Sequence, residues 1–494
     1  MALQFVPMAQ ASNKETVYNF IGGEWTVSSA TDSLSIENPA TREILGRVPL
    51  SPAADVAAAV AAASLAFPAW RETPAVERAR ILFRLKELLE ENAQEISRSL
   101  TLEHGKNLIE TRGELQRGIE NVEHACGIPS LMMGESLEDI AAGIDCVTYR
   151  QPLGVFAAIT PYNFPVMIPM WFWPYAVAAG NTFILKPSEQ DPLTHQMIVD
   201  LSIEAGLPPG VLNVVHGTQE TVTALLEHPE IVGISFVGSS HVARLAYAKA
   251  AATGKRVQAL GGAKNHMVVM PDADFNITNE ALIGSLFGSA GQRCLAGSAV
   301  VGVGDAYEQM RERFLDSANS LRIGYGLDEE TEMGPVISKP HKERVLGYID
   351  AGESEGAKLV LDGRDVTVDS YPEGHWIGPT VFENVSPSMK LGSEEVFGPV
   401  AGLSRVKNVD EAVDLIQQVE YGNATSIFTS SGKAAREFRY KSGISMIGVN
   451  VGVAAPMAFF PFGGARGSFY GDLKAQGSDA ISFYTDRRVV IERW

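Results

Sequence analysis

The stretch Gln151–Leu185 reads QPLGVFAAITPYNFPVMIPMWFWPYAVAAGNTFIL and contains no charged residue. Its length and apolarity suit a membrane span. Pro152, Pro161, Pro165, Pro169 and Pro174 interrupt it, however, as does Asn163. Prolines at that density remove backbone donors and prevent one continuous helix. The stretch therefore reads as protein interior, which draws attention to its polar residues. Within it, Val155–Ile159 and Phe183–Leu185 are short apolar runs, and Val211–Val215, Ile231–Val237 and Met267–Met270 follow. Helical segments such as Thr194–Ala205 and Glu220–Glu227 separate them. This alternation predicts an α/β fold around an open sheet of parallel strands.

Upstream, Ser51-Pro52 followed by Ala-rich sequence to Phe67 predicts a helix with Pro in its first turn. Glu77 to about Asn107 has helical periodicity, with Ile81, Leu82, Leu85, Leu88 and Leu89 on one stripe. A second alternating region runs from about Ala281 to Gly443. Gly134–Gln151 reads as an extended hairpin, and Ala480–Trp494 alternates like an edge strand. Two peripheral strands suit pairing with a neighbouring subunit, so a homodimer or homotetramer is expected. At about 150 residues per domain, the length of 494 residues predicts roughly three domains.

Hydrophobic residues make up 45% and charged residues 20%, an ordinary globular composition. It excludes a wholly disordered chain, a fibre and a multi-span membrane protein. The net charge of −19 argues against nucleic acid or an anionic membrane as partner. A few arginines can still build a local pocket for an anionic substrate. Cys126, Cys146 and Cys294 are the only cysteines. An odd, low count is no disulfide framework and points to a reducing compartment. No Cys or His cluster has zinc spacing, so no metal is expected. No basic segment followed by an apolar run marks a secretory signal. Cytoplasm is the expected location, with a mitochondrial mature form as the open alternative.

The usual dinucleotide fingerprint GxGxxG is absent, and so is GxxxxGK[ST]. Ser235-Phe236-Val237-Gly238-Ser239-Ser240 lies between a strand and a helical run, where backbone amides can hold a phosphate. Many strand–Gly–helix turns look the same. Lys186-Pro187-Ser188-Glu189 ends a buried strand, where Lys and Glu can bind a ribose diol; alone, it reads as a solvated loop. Gly291-Gln292-Arg293-Cys294 follows Gly288-Ser289-Ala290, and a thiol there can serve as a nucleophile. A lone Cys also reads as a small buried hydrophobe. Asn163, in Thr160-Pro161-Tyr162-Asn163-Phe164-Pro165, can offer an N–H to an oxyanion; alone, it reads as a turn residue. Cys126 and Cys146 have no catalytic context.

Asn163, Lys186, Glu189, Gly238, Cys294 and Glu394-Glu395-Val396-Phe397-Gly398-Pro399 together have an order and spacing that resemble the aldehyde dehydrogenase superfamily. The resemblance runs over nearly the whole chain, from Phe20-Ile21-Gly22-Gly23-Glu24-Trp25 onward. It implies a Rossmann-like NAD-binding domain (1–130 and 152–258), an α/β catalytic domain (259–465) and an oligomerisation hairpin (131–151 and 466–494). It also implies Cys294 as nucleophile and Asn163 as oxyanion donor. The NAD site would comprise Thr160, Phe164, Gly238 and Ser239, with Lys186 and Glu189 at the adenosine ribose and Glu395 and Phe397 at the nicotinamide ribose. A carboxylate at Glu189 repels a 2′-phosphate, so NAD is expected over NADP.

Hydrolytic members carry Glu-Leu-Gly-Gly-Lys before the cysteine, and its Glu activates water. Here the segment is Leu260-Gly261-Gly262-Ala263-Lys264-Asn265-His266. The Glu position falls on Leu260 when aligned on Lys264, or on Ala259 when aligned on the glycines. Neither is a base, and neither is Gln258. Water attack without one loses a factor of roughly 10²–10⁴. A thiol supplies its own thiolate, so coenzyme A is the expected acyl acceptor.

Ala263–His266, Val268–Ala273, Thr160–Pro165 with Ile168–Trp171, and Val122–Cys126 are similar to CoA-acylating methylmalonate-semialdehyde dehydrogenases. That resemblance places Arg117 and Arg293 at the substrate carboxylate, which guanidinium binds bidentately. Arg117 otherwise reads as an exposed helix residue, and Arg293 as structural, pointing away from Cys294. Leu260 replaces a usually polar residue, and Gly452-Val453-Ala454-Ala455-Pro456-Met457 is poorer in proline than the family. These departures bear on the identity of the aldehyde. The expected reaction oxidises malonate or methylmalonate semialdehyde through a Cys294 thioester, with loss of CO2 and transfer to coenzyme A. The rivals are a hydrolytic aldehyde dehydrogenase, a catalytically silent member, and a Cys–His hydrolase without cofactor.

Overall fold

The computed structural model describes residues 15–494. Residues 1–14 lie outside the described residues; they belong to the segment assigned to the NAD-binding domain and searched for a signal.

The charge-free stretch supplies two neighbouring strands. Val155–Ile159 and Thr182–Lys186 pair in parallel and are buried along their whole length. Continuous apolar runs suit strands covered on both faces. Leu212–Val214 lies beyond Thr182–Lys186, while Ile231–Val237 and Arg256–Leu260 lie on the other side, all parallel. Numbered along the chain, these strands have the spatial order 3-2-1-4-5. The order reverses between Val155–Ile159 and Ile231–Val237. Open α/β sheets bind ligands at that switch, beyond the carboxyl ends of the strands. Antiparallel Phe469–Gly471 closes one edge, and Asn19–Ile21 with Glu24–Thr26 closes the other. The rest of the stretch folds into short helices that bury Trp171, Phe172, Trp173 and Tyr175.

The Ala-rich segment forms the helix Ala53–Glu72 and lays Val56, Ala59, Val60 and Ala63 on this sheet. The long helix expected from Glu77 is instead two, Ala75–Glu91 and Ala93–His104. The break falls at Asn92, whose amide donates to the Leu88 carbonyl at 2.8 Å. This is the local competition with the helix ladder that Asn favours.

A second, seven-stranded sheet runs from Lys358–Leu361 through Thr380–Glu383, Val400–Val406, Gly297–Val303, Asn265–Val269 and Ala424–Phe428 to Met446–Val449. Only Lys358–Leu361 is antiparallel to its neighbour.

Ser136–Ala141, Ile144–Pro152 and Thr485–Arg493 form a separate antiparallel sheet. The C-terminal expectation is corrected here: Gly477–Tyr484 is a helix, and the strand begins only at Thr485. The segment 466–494 is likewise not one oligomerisation unit, since Phe469–Gly471 joins the first sheet. Alternation misled because Ala480, Ile481, Phe483 and Tyr484 pack a helical face into the first core.

Candidate active site

Cys294 is reached through a turn of unusual geometry. The helix Phe275–Phe287 ends at Gly288, and Ser289, Ala290 and Gly291 then have φ of 51°, 51° and 71°. A Cβ at Gly291 would sit 2.2 Å from the Gly398 carbonyl oxygen, so only glycine fits. Left-handed Ser and Ala cost about 1–3 kcal/mol each, and the surroundings hold them there. Glu110 Oε1 accepts from the Ser289 amide at 2.6 Å and from Arg293 Nη2 at 2.8 Å. Arg293 Nε donates to Ser289 Oγ at 3.1 Å, and its Nη1 donates to the Gly284 carbonyl at 3.2 Å. The Cys294 carbonyl accepts from two side-chain amides, Asn265 Nδ2 at 2.9 Å and Asn423 Nδ2 at 2.8 Å. Burial, and then the Glu395 carboxylate, push the thiol up to about 12.

Two cavities meet at this cysteine. One, of about 260 Å³, opens at the switch point of the first sheet and is lined by Asn163, Gly238, Ser239, Cys294, Glu395 and Phe397. Gly238 follows the strand Ile231–Val237, and Ser239 stands at the N-cap position of the helix Ser240–Ala252, so a helix N-terminus borders the cleft. Glu395 is raised to about 7, chiefly by burial. Burial lowers neighbouring Lys264 to about 8, against the pull of Glu395. Lys186 and Glu189 lie at the end of the adjacent strand, paired at 2.7 Å. They and buried Thr160 stand outside this cavity's walls.

Asn163 is buried and donates from Nδ2 to the Gln292 carbonyl at 3.1 Å, two residues before the nucleophile. Its loop rests on a buried ion pair. Lys106 Nζ donates to Glu114 Oε2 at 2.6 Å and to the Asn163 carbonyl, and it sits 4.0 Å from the Phe164 ring centroid. Glu114 Oε1 accepts from the amides of Val166 at 2.9 Å and Met167 at 3.2 Å. Phe164 differs from its expected place: it lines the second cavity, on the far side of Cys294 from the cofactor cleft.

That second cavity, of about 370 Å³, has Cys294, Arg117, Arg293 and Trp171 in its walls, with Val453 and Pro456 from the proline-poor loop. Arg117, on the helix Leu108–Cys126, pairs with Glu120 at 3.1 Å and keeps its side chain 36% exposed. Arg293 also lines the cavity, although all three of its guanidinium nitrogens are already bonded. Leu260 and Ala259 are buried in the cores and line neither cavity, and Gln258 donates to Ser235 Oγ at 2.7 Å. No base enters the site from this segment.

Sequence reasoning missed Lys106, Glu114, Asn265 and Asn423. Asn265 sat inside a quoted motif, yet nothing in the motif showed that its amide holds Cys294. The other three carry no local signal, because their partners are distant in sequence.

A half-buried cysteine between a dinucleotide-type cleft and a small cavity, with a carboxamide beside it, defines a thiol-dependent aldehyde oxidoreductase. The family model described as the aldehyde dehydrogenase family matches residues 25–490, and the chain belongs to that family. It is 51% identical over 479 residues to malonate-semialdehyde dehydrogenase 2 of Geobacillus thermodenitrificans, covering 97% of this chain and 99% of that one. It is 48% identical over 487 residues to malonate-semialdehyde dehydrogenase of Halalkalibacterium halodurans, covering 99% and 100%. The crystal structure of methylmalonate-semialdehyde dehydrogenase from Oceanimonas doudoroffii superposes with a TM-score of 0.95 at 47% identity, over 97% and 98% of the chains. A Sinorhizobium meliloti protein, assigned as a methylmalonate-semialdehyde dehydrogenase and solved with NAD, gives 0.96 at 44% identity, over 98% and 99%.

Proposed function

We propose that this aldehyde dehydrogenase oxidises malonate or methylmalonate semialdehyde with NAD and passes the decarboxylated acyl group to coenzyme A. The observation that carries this reading is the shared cavity of Cys294 and Arg117. It puts a guanidinium in the same small space as the nucleophile, as a short carboxylated aldehyde requires. The names of the close relatives support the same substrate.

NAD would occupy the cleft at the strand-order reversal, with Gly238 and Ser239 at a helix N-terminus for phosphate and Glu395 for a hydroxyl, and would reach beyond the cleft's walls to Lys186 and Glu189 at the end of the adjacent strand. When bound, NAD accepts the hydride released by the carbon attached to Cys294. The chain's own residues do the rest. The Cys294 sulfur bonds to the aldehyde carbon, and the thiol proton is lost. Glu395 lines the cofactor cleft together with Cys294, and its value of about 7 suits it to take up or release a proton. Asn163 Nδ2, which keeps a second N–H beyond its bond to the Gln292 carbonyl, and the Cys294 amide would serve the developing oxyanion. Arg117 holds the carboxylate until the C–C bond breaks, releasing CO2 and leaving an enolate that takes a proton. The thiolate of coenzyme A then bonds to the acyl carbon, and the Cys294 sulfur leaves. A thiol acceptor needs no water-activating base, which agrees with Leu260 and Ala259 lying in the cores.

The exposed apolar residues Leu137, Ile140, Tyr149, Val489 and Ile491 of the separate sheet support assembly into a homodimer or homotetramer. The three unpaired cysteines suit a reducing cytoplasm.

The test is NADH formation from malonate semialdehyde and NAD, with and without coenzyme A, with products identified. Acetyl-CoA formation strongly stimulated by coenzyme A is expected. Fast turnover to a free acid without coenzyme A would overturn the acceptor.

A further inference from the structure

Gln476 has no part in the chemistry above, yet its conformation is costly. It precedes the helix Gly477–Tyr484 with φ 66° and ψ 176°, a region open to glycine and nearly closed to residues with a Cβ. The chain on either side holds it there. Ala475 and Phe462 exchange both backbone hydrogen bonds, at 2.6 and 3.0 Å. The Gly477 amide donates to the Ala458 carbonyl at 3.0 Å, and the Gln476 carbonyl accepts from the Ala480 amide at 3.0 Å. Residues 475–477 are thus stitched to 458–462, and Ala458 and Phe462 wall the cavity that contains Cys294 and Arg117.

Gln476 lines the same cavity and is 3% exposed, and its Oε1 is buried without a hydrogen-bond partner among the described residues. Its backbone conformation and its unpartnered Oε1 both oppose stability, and glycine would remove both penalties. Local costs of this kind persist where the side chain serves a ligand.

We propose that the Gln476 carboxamide is a specificity-determining contact for the carboxylate of the aldehyde substrate, acting beside Arg117. The inference rests on the function proposed above and assigns a residue to it. A carboxamide turned about its last torsion presents an N–H to the cavity. That neutral donor fixes the orientation of the carboxylate without adding charge to a space that already holds arginines and glutamates. An aldehyde lacking the carboxylate leaves the amide unpartnered and is disfavoured for that reason.

The test compares Gln476→Gly, Gln476→Leu and Gln476→Asn with the unaltered enzyme on malonate semialdehyde and on propanal, at saturating NAD and coenzyme A. The ratio of kcat/KM for malonate semialdehyde over propanal is expected to fall about 10- to 100-fold in Gln476→Gly and Gln476→Leu. Gln476→Asn, which keeps the amide, retains most of it. Gln476→Gly melts at or above the unaltered Tm, so its loss of selectivity is not unfolding. An unchanged ratio in Gln476→Gly overturns the inference. An unaltered enzyme with no preference for malonate semialdehyde over propanal overturns the functional reading instead, a distinguishable result.

Discussion

Lys106 Nζ lies 2.6 Å from Glu114 Oε2 with both side chains fully buried, and the pair braces the loop that carries Asn163 from both ends. Lys106→Met leaves Glu114 charged and unpaired in the interior, which costs about 3–5 kcal/mol. Urea unfolding should register that loss. The kcat should fall in the same variant, because the Asn163 carbonyl loses its anchor.

The two amides on the Cys294 carbonyl share one task. Asn423→Ala and Asn265→Ala each leave one of them in place, so each should cost about 1–3 kcal/mol of stability and lower kcat more than they raise KM. The double variant should lose more than the sum of the singles, since only then is the carbonyl bare. A double-mutant cycle on kcat and on unfolding free energy measures the coupling.

Glu120 competes with the substrate carboxylate for the Arg117 guanidinium, which it already holds at 3.1 Å. Arg117→Ala should raise KM for malonate semialdehyde about 10- to 100-fold and leave propanal nearly unaffected. Glu120→Gln should lower KM for malonate semialdehyde, because the arginine no longer has a charged partner. Steady-state kinetics with both aldehydes decide the point.

Alkylation of Cys294 by iodoacetamide should be slow at neutral pH and rise about tenfold per pH unit, since burial pushes the thiol up to about 12. Burial raises it first, and the Glu395 carboxylate adds to the effect. Glu395→Gln removes that second cause, lowers the thiol and should speed alkylation. The gain should appear only above about pH 7, where Glu395 is ionised; below it, the carboxyl is already neutral and the two proteins should converge.

The strand Ile231–Val237 was legible to the residue, because a mostly apolar run, interrupted only by Gly233 and Ser235, ends at a glycine that precedes a helix. Cys294, Asn163 and Glu395 were legible only as a set, since each alone has an ordinary explanation. Lys106 and Glu114 could not be read as partners: a lysine and a glutamate eight positions apart look like two solvated charges until the turn at Gly105–Asn107 folds them inward. Gln476 was hidden for a different reason. Its strain is imposed by pairing with residues 458–462, which no local pattern announces. The C-terminal helix was mistaken for strand because residues 480–484 are apolar enough to satisfy either period.

Cys294 forms a wall common to the cofactor cleft and the aldehyde cavity. A covalent passenger on its sulfur can therefore stay in place while one chamber is emptied and refilled. Oxidation and transfer become successive uses of one anchor, with no need for the sulfur to move between chambers.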